Sequence, residues 1–112
     1  MKTTPFLDYI RYDIFTENDP ITARAMMGAH VLYYEGKAFA IVENDELYFK
    51  GSKDIASWYL ARGSHQFTYT KEGHPAHLYY YAVPPEIYEH KDLRDEWFDK
   101  ALSVATLPKK KR

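Results

Sequence analysis

The sequence contains no cysteine, only five glycines and no long apolar run. Without cysteine the chain has no disulfide, no thiol nucleophile, no iron–sulfur cluster and no cysteine-ligated zinc. The glycines lie too far apart to form a phosphate-binding loop. No apolar segment approaches the roughly 20 residues that a membrane helix needs, and the N-terminus lacks the apolar core of a signal peptide. We therefore expect a cytoplasmic protein with no membrane contact.

Charge is distributed unevenly along the chain, although the net charge is only −1. The segment from Lys109 to Arg112 carries four of the fifteen basic residues, so the rest of the chain has eleven basic and sixteen acidic residues and a net charge of −5. An acidic body is a poor electrostatic partner for nucleic acid. We interpret residues 108–112 as a solvated basic tail, with contact to phosphate as the alternative.

Length and hydrophobic pattern predict one α+β domain over residues 1–112. The composition is 46% hydrophobic and 17% aromatic, which excludes disorder and supports a single core. The apolar periods predict the order helix, four strands, helix, two strands, helix. The first helix is predicted to begin at Pro5 and to end before Asn18, and the other two at 52–62 and 92–106. The strands are predicted at 21–27, 29–35, 37–43, 46–50, 66–70 and 77–83. Hairpins with helices between them predict two layers, with an antiparallel sheet of five or six strands and the helices on one face.

Residues suited to catalysis are sparse. His74 and His77 are three apart, and this odd spacing sends them to opposite faces of an extended strand, so they cannot share a metal. Ser64 and His65 are adjacent, but a nucleophilic pair also needs an orienting group and an oxyanion hole, and the sequence indicates neither. We therefore predict a non-enzymatic protein with no catalytic, metal or cofactor site.

Tyrosine is the outstanding residue type, with eleven copies and a triplet at positions 79–81. Side chains alternate along a strand, so Tyr79 and Tyr81 share one face and Tyr80 takes the other. Because Leu78 and Ala82 have no polar tip, we predict that they face the helices together with Tyr80. Tyr79 and Tyr81 are then predicted to lie partly exposed on the open sheet face, with Tyr33 and Tyr48.

An exposed aromatic strip is unusual for a monomer and indicates a binding surface. Aromatic sheet faces stack nucleic-acid bases in some proteins, whereas tyrosine is also enriched at protein interfaces. The acidic body favours a protein partner, and a homodimer is one form that this contact can take. Direct nucleic-acid binding through the aromatic face and the basic tail is the alternative function.

Several segments form a series in order and spacing. Residues 22–28 read TARAMMG and residues 31–40 read VLYYEGKAFA. They are followed by the strand at 47–50, the hairpin segments 67–69 and 80–84, and the helix through Trp97 and Ala101. This series resembles the N-terminal domain of TfoX/Sxy-type competence regulators, and the resemblance extends from Phe6 to Leu107.

This resemblance implies a two-layer fold like that of secretion chaperones and a regulatory, non-enzymatic role. Proteins of the family act with the cyclic-AMP receptor protein in transcription of DNA-uptake genes, so the implied partner is a transcription regulator or the transcription machinery. The full-length regulators carry a further C-terminal helical domain. We therefore expect a stand-alone form of the N-terminal domain.

The resemblance also singles out individual side chains. Arg24 matches an arginine of the family, and its alternatives are a structural ion pair or an exposed contact to a partner or an anion. Residues 26–29 read MMGA where the family usually has Met-Phe-Gly-Gly, so Met27 keeps the bulk but not the ring, and Gly28 serves backbone geometry. Lys50 is predicted on the face of Tyr48. The candidate interaction residues are Arg24, Met27, Gly28, Tyr48, Lys50, Tyr79 and Tyr81.

Overall fold

The computed structural model describes residues 5–10, 14, 21–26 and 29–105. The elements are α1 Pro5–Tyr9, β1 Ile21–Met26, β2 Ala29–Tyr34, β3 Lys37–Glu43, β4 Glu46–Lys50, α2 Ala56–Leu60, β5 Gln66–Lys71, β6 His74–Ala82, a 3-10 helix Pro85–Tyr88 and α3 Lys91–Leu102. The predicted α+β order is confirmed, with the 3-10 helix added. None of the helices in these ranges is long and apolar enough to span a membrane.

The six strands form one antiparallel sheet in the order β1-β2-β3-β4-β6-β5. Three hairpins close with two-residue turns at Glu35-Gly36, Asn44-Asp45 and Glu72-Gly73, and both residues of each turn have positive φ. Such turns match the right-handed twist of the flanking strands. Local turn chemistry therefore sets most of the sheet order, and only the pairing of β4 with β6 spans intervening elements.

The helices cover one face of the sheet, as predicted. Leu7 of α1, Tyr59 of α2 and Trp97 of α3 are buried in one cluster with the sheet residues Phe39 and Phe49. Phe98 of α3 also packs edge-on against Phe39, with ring centroids 5.2 Å apart. The main core is therefore a helix-to-sheet layer dominated by aromatic rings.

A stack of two tyrosines occupies the centre of this layer. The rings of Tyr59 and Tyr81 are nearly parallel, with centroids 4.9 Å apart and an interplanar angle of 7°. The Tyr59 hydroxyl donates a hydrogen bond of 2.7 Å to the backbone carbonyl of Lys50. A Cβ atom on Gly51 would lie 2.8 Å from the Tyr81 ring and 3.0 Å from the Tyr59 ring. The stack therefore requires glycine at position 51.

The predicted orientation of the tyrosine triplet was wrong. Tyr81 is 2% exposed and faces the helices, whereas Leu78, Tyr80 and Ala82 belong to the opposite face. The alternation itself holds, but a tyrosine ring buries far more apolar area than the methyl group of Ala82, and Gly51 leaves the space for it. Tyr79 shares the helix side of β6 and is 48% exposed, so its predicted exposure is confirmed and its predicted face is not.

Three predicted boundaries also differ from the structure, one of them the end of α3, which lies at Leu102 rather than at residue 106. The second helix begins at Ala56 rather than at residue 52, and Leu60 at its end is 54% exposed. Strand β6 begins at His74, directly after the Glu72-Gly73 turn, rather than at residue 77. The tight turn explains the longer strand, because a two-residue loop keeps its flanking residues paired.

The two neighbouring tyrosines of β6 provide a matched test of this core. We expect Tyr81→Ala to lower the free energy of unfolding by about 3–5 kcal/mol, because it removes a buried ring and leaves a cavity. Tyr79→Ala is expected to cost less than about 1 kcal/mol, since this ring is half-exposed. Urea unfolding followed by fluorescence of Trp58 and Trp97 measures both values. Equal losses for the two variants would contradict the placement of Tyr81.

Candidate interaction surface

The sheet face opposite the helices, called here the second face, carries its own apolar cluster. Its buried members are Ala29, Val31, Ile41, Tyr48, Phe67 and Tyr80. Half-buried side chains from Tyr33, Ala38, Tyr69, Leu78 and Ala82 pack around them. The buried residues of α1, α2 and α3 all belong to the other cluster. The second face is therefore a layer of sheet side chains that pack mainly against one another in the described part of the chain.

The aromatic rings of the second face cover each other. Tyr48 of β4 and Phe67 of β5 pack edge-on with centroids 5.0 Å apart, although β6 lies between their strands. Ala82, the β6 partner of Tyr48, has a small side chain that leaves room for this contact. Tyr48 and Tyr80 are consequently only 6% and 9% exposed. The expected strip of exposed tyrosine is absent from the described second face, and these rings offer little surface for stacking bases.

Burial keeps two phenols of this face, Tyr48 and Tyr80, protonated. Tyr48 donates a hydrogen bond of 2.8 Å to Oε1 of Glu46, and burial together with the Glu46 carboxylate raises the pKa of Tyr48 far above its usual value. Burial and the neighbouring Tyr33 raise the pKa of Tyr80 to about 12. Both hydroxyls are therefore neutral hydrogen-bonding groups at ordinary pH.

Two cations border the apolar cluster. Lys50 is half-buried, pairs in register with Tyr80 and places its Nζ 5.1 Å from the centroid of that ring. Burial lowers the pKa of Lys50. Arg24 of β1 is exposed and pairs in register with Val31. Neither cation forms an ion pair with any residue that the structure describes, so the structural ion-pair interpretation of Arg24 finds no support there.

Register places three of the candidate residues on one surface. Arg24 pairs with Val31, which pairs with Ile41, which pairs with Tyr48, so these side chains form one row across four strands. Lys50 lies two residues after Tyr48 along β4, and therefore on the same face as this row. Tyr79 and Tyr81 lie on the opposite face, while Met27, Gly28 and the tail 108–112 lie outside the described residues.

Sequence reasoning did not identify the cleft that lies where β4 begins and β6 ends. It has a volume of about 310 Å³, and its lining includes Glu46, Arg62, Ser64, His65 and Trp97. The Ser64 hydroxyl donates a hydrogen bond of 2.6 Å to the backbone carbonyl of Ala82. Its proton is therefore directed to that carbonyl and not to the His65 ring, as a nucleophilic pair would require. Gly63 and Pro84-Pro85 line this cleft. In the sequence these residues indicate loops, and no stronger pattern there points to a cleft.

The guanidinium of Arg62 lies over the Trp58 ring at 3.8 Å and donates a hydrogen bond of 2.9 Å to the Trp58 carbonyl. Its position is therefore explained by helix α2 alone. No group of three or more histidine, aspartate or glutamate side chains in the described ranges is arranged to hold a metal ion.

The raised pKa of Tyr80 has a consequence for stability at alkaline pH. The unfolded phenol ionises near its usual value of about 10, whereas the folded one holds its proton to about 12. Stability that depends on the neutral phenol is present below pH 10 and is lost as pH rises through 12. We expect Tyr80→Phe to weaken the fall in unfolding free energy between these pH values, measured by urea unfolding. Tyr79→Phe is the control, and an unchanged pH dependence in Tyr80→Phe would contradict this assignment.

Comparison with known proteins supplies the family. No curated protein matches the sequence at a significant level. The family model of the TfoX N-terminal domain, in contrast, matches residues 13–105. The match spans the sheet, α2 and α3, and it includes Arg24, Tyr48 and Lys50. Since it covers most of the 112 residues, the chain belongs to the TfoX N-terminal domain family.

Proposed function

We propose that this domain is a non-enzymatic regulatory module that binds a protein partner through its second face. Membership of the TfoX N-terminal domain family supports the regulatory role, because the regulators that the chain resembles act in transcription. The observation that carries the choice of surface is the pair of cations, Arg24 and Lys50, on a face centred on apolar side chains.

Of the two cations, Lys50 gives the stronger support for a partner contact on the second face. A half-buried ammonium group loses part of its hydration, and this loss is offset when a charged or polar partner replaces the water. In the described part of the chain its compensation is the face of the Tyr80 ring, and a cation–π contact at a partly exposed site contributes only modestly. A carboxylate on a partner protein would complete the environment of Lys50.

Arg24 extends the same surface toward the β1 edge. Three strand spacings separate its strand from that of Lys50, or about 14 Å across the sheet. At the opposite end of β4 the face becomes acidic, because Glu46 lies beside Tyr48 there. The partner that fits has an apolar contact area with carboxylates on the side that meets Arg24 and Lys50.

The resemblance to competence regulators suggests a specific partner, the cyclic-AMP receptor protein, and a cytoplasmic site of action. The acidic net charge of the body weakens the alternative of direct DNA binding. The same experiment can separate these two functions, because DNA and protein are added independently.

Charge reversal tests the proposed surface. We expect Arg24→Glu and Lys50→Glu each to weaken binding to purified cyclic-AMP receptor protein by about tenfold, which corresponds to ~1.4 kcal/mol. The control is Lys53→Glu, which makes the same charge change at an exposed residue in the turn before α2. Calorimetric titrations would be run with and without cyclic AMP and promoter DNA.

Three results would count against the proposal. Equal affinities of all three variants for the cyclic-AMP receptor protein would show that the second face is not the contact surface. Absence of binding under every condition would exclude this partner. Binding to DNA alone that weakens with salt as phosphate contacts require would favour the alternative function.

A further inference from the structure

The outer edge of β5 presents backbone groups with which no other described residue pairs. Strand β5 ends the sheet order, and its pair Lys71 and His74 closes the Glu72-Gly73 turn. The closing pair of a two-residue hairpin is hydrogen-bonded, and hydrogen-bonded pairs alternate along an antiparallel ladder. The N–H and C=O groups of Thr68 and Thr70 therefore point away from β6.

Proline supplies an independent check of this direction. Thr70 pairs in register with Pro75, which has no N–H to donate. A non-hydrogen-bonded position is the one that tolerates proline, so Thr70 directs its own N–H and C=O to the outer edge. Outside the β5–β6 ladder, no described residue forms a hydrogen bond with the backbone of Thr68 or Thr70.

Between Thr68 and Thr70 the described β5 edge carries few of the devices that usually prevent edge pairing, because the register shift at Gln66–Thr68 and the charged Lys71 lie at the two ends of this segment. Residues 66–70 read QFTYT, carry no charge and no proline, and favour extended structure. The side chains of Thr68 and Thr70 are exposed. The opposite edge strand, β1, has the charged Arg24 near its middle, and such a charge discourages pairing. The two edges therefore differ, and β5 is the one suited to a further strand.

We propose that a second copy of this chain pairs with β5, antiparallel strand to strand, about a two-fold axis at Tyr69. Thr68 then pairs with the partner subunit's Thr70 and Thr70 with the partner subunit's Thr68. These pairs form four backbone hydrogen bonds and join the two six-stranded sheets.

The axis follows from the regular part of the strand. The register between β5 and β6 shifts between Gln66 and Thr68, so a straight ladder is available only from Thr68 to Lys71. A two-fold axis at Tyr69 uses this part alone. It also places Tyr69 at a non-hydrogen-bonded position, where opposed side chains are closest, beside the same ring of the partner subunit.

Symmetry and charge favour a second copy over an unrelated strand. An antiparallel pairing of identical strands satisfies the donors and acceptors of both edges by the same contact. Each chain has an acidic body, and the uncharged β5 edge is where two such bodies approach with little repulsion. Tyr69 is half-buried beside Phe67, with centroids 6.2 Å apart, so pairing extends the second-face cluster across the axis.

The absence of cysteine makes a direct test available. Tyr69→Cys introduces the only thiol in the chain at the proposed axis, where the two Cα atoms would be about 4.5 Å apart and within disulfide range. Under mild oxidation we expect most of this variant to become a covalent dimer on a non-reducing gel. The control, Thr22→Cys at an exposed position of β1, is expected to remain largely monomeric. Equal crosslinking of the two variants, or none in Tyr69→Cys, would overturn the proposed pairing.

A second measurement uses the outward N–H of Thr70. Thr70→Pro removes this donor without removing a bond to β6, whereas Thr70→Ala keeps it. In sedimentation over a dilution series, we expect the unchanged protein and Thr70→Ala to be dimeric and Thr70→Pro to dissociate at least tenfold more readily. Circular dichroism checks that Thr70→Pro is folded. A monomeric unchanged protein would refute the pairing, whatever the result for the cyclic-AMP receptor protein, because Arg24 and Lys50 take no part in it.

Discussion

The parallel stack of Tyr59 on Tyr81 is the contact on which the rest of the domain depends. It joins α2 to β6. Gly51, directly after the end of β4, lies against both rings, and its lack of a side chain leaves the space that they fill. Trp97 of α3 packs on the same Tyr59 ring, with centroids 5.4 Å apart. Two helices and two strands therefore meet at one pair of rings. This contact determines which face of the sheet the helices cover.

The stack also determines what the second face can present. With Tyr81 on the helix side, alternation sends Tyr80 to the other side, and β4 places Lys50 over its ring. The backbone carbonyl of Lys50 accepts a hydrogen bond from the Tyr59 hydroxyl of the core, while the side chain of Lys50 lies on the second face. One residue thus connects the core to the proposed contact surface, so core packing fixes the position of the cation.

The sequence predicted the parts of this fold that depend on local rules. Turn residues such as Glu35-Gly36 and the alternation in β3 were sufficient for the strands. The family resemblance drew attention to Arg24, and alternation placed Lys50 on the face of Tyr48. The orientation of β6 was not predictable in this way, because Leu78 and Tyr81 are both plausible core residues. The decision lies in a long-range fit between Tyr81 and Gly51, which no local pattern contains. For the same reason the mutual burial of Tyr48 and Phe67, on strands that are not neighbours, escaped prediction.

Pairing at β5 would change how the proposed contact surface is used. A two-fold axis that places both Tyr69 side chains on the same face runs perpendicular to the joined sheet, so the second faces of both subunits lie on one side. The two β1 strands, each with its Arg24, then lie at opposite ends of this continuous face. Such an arrangement presents two identical contact sites to a partner that is itself two-fold symmetric, and simultaneous binding raises the overall affinity without any new contact. In the proposed assembly the uncharged β5 edge would set the spacing of the two sites, and Arg24 and Lys50 on each second face would provide the attraction.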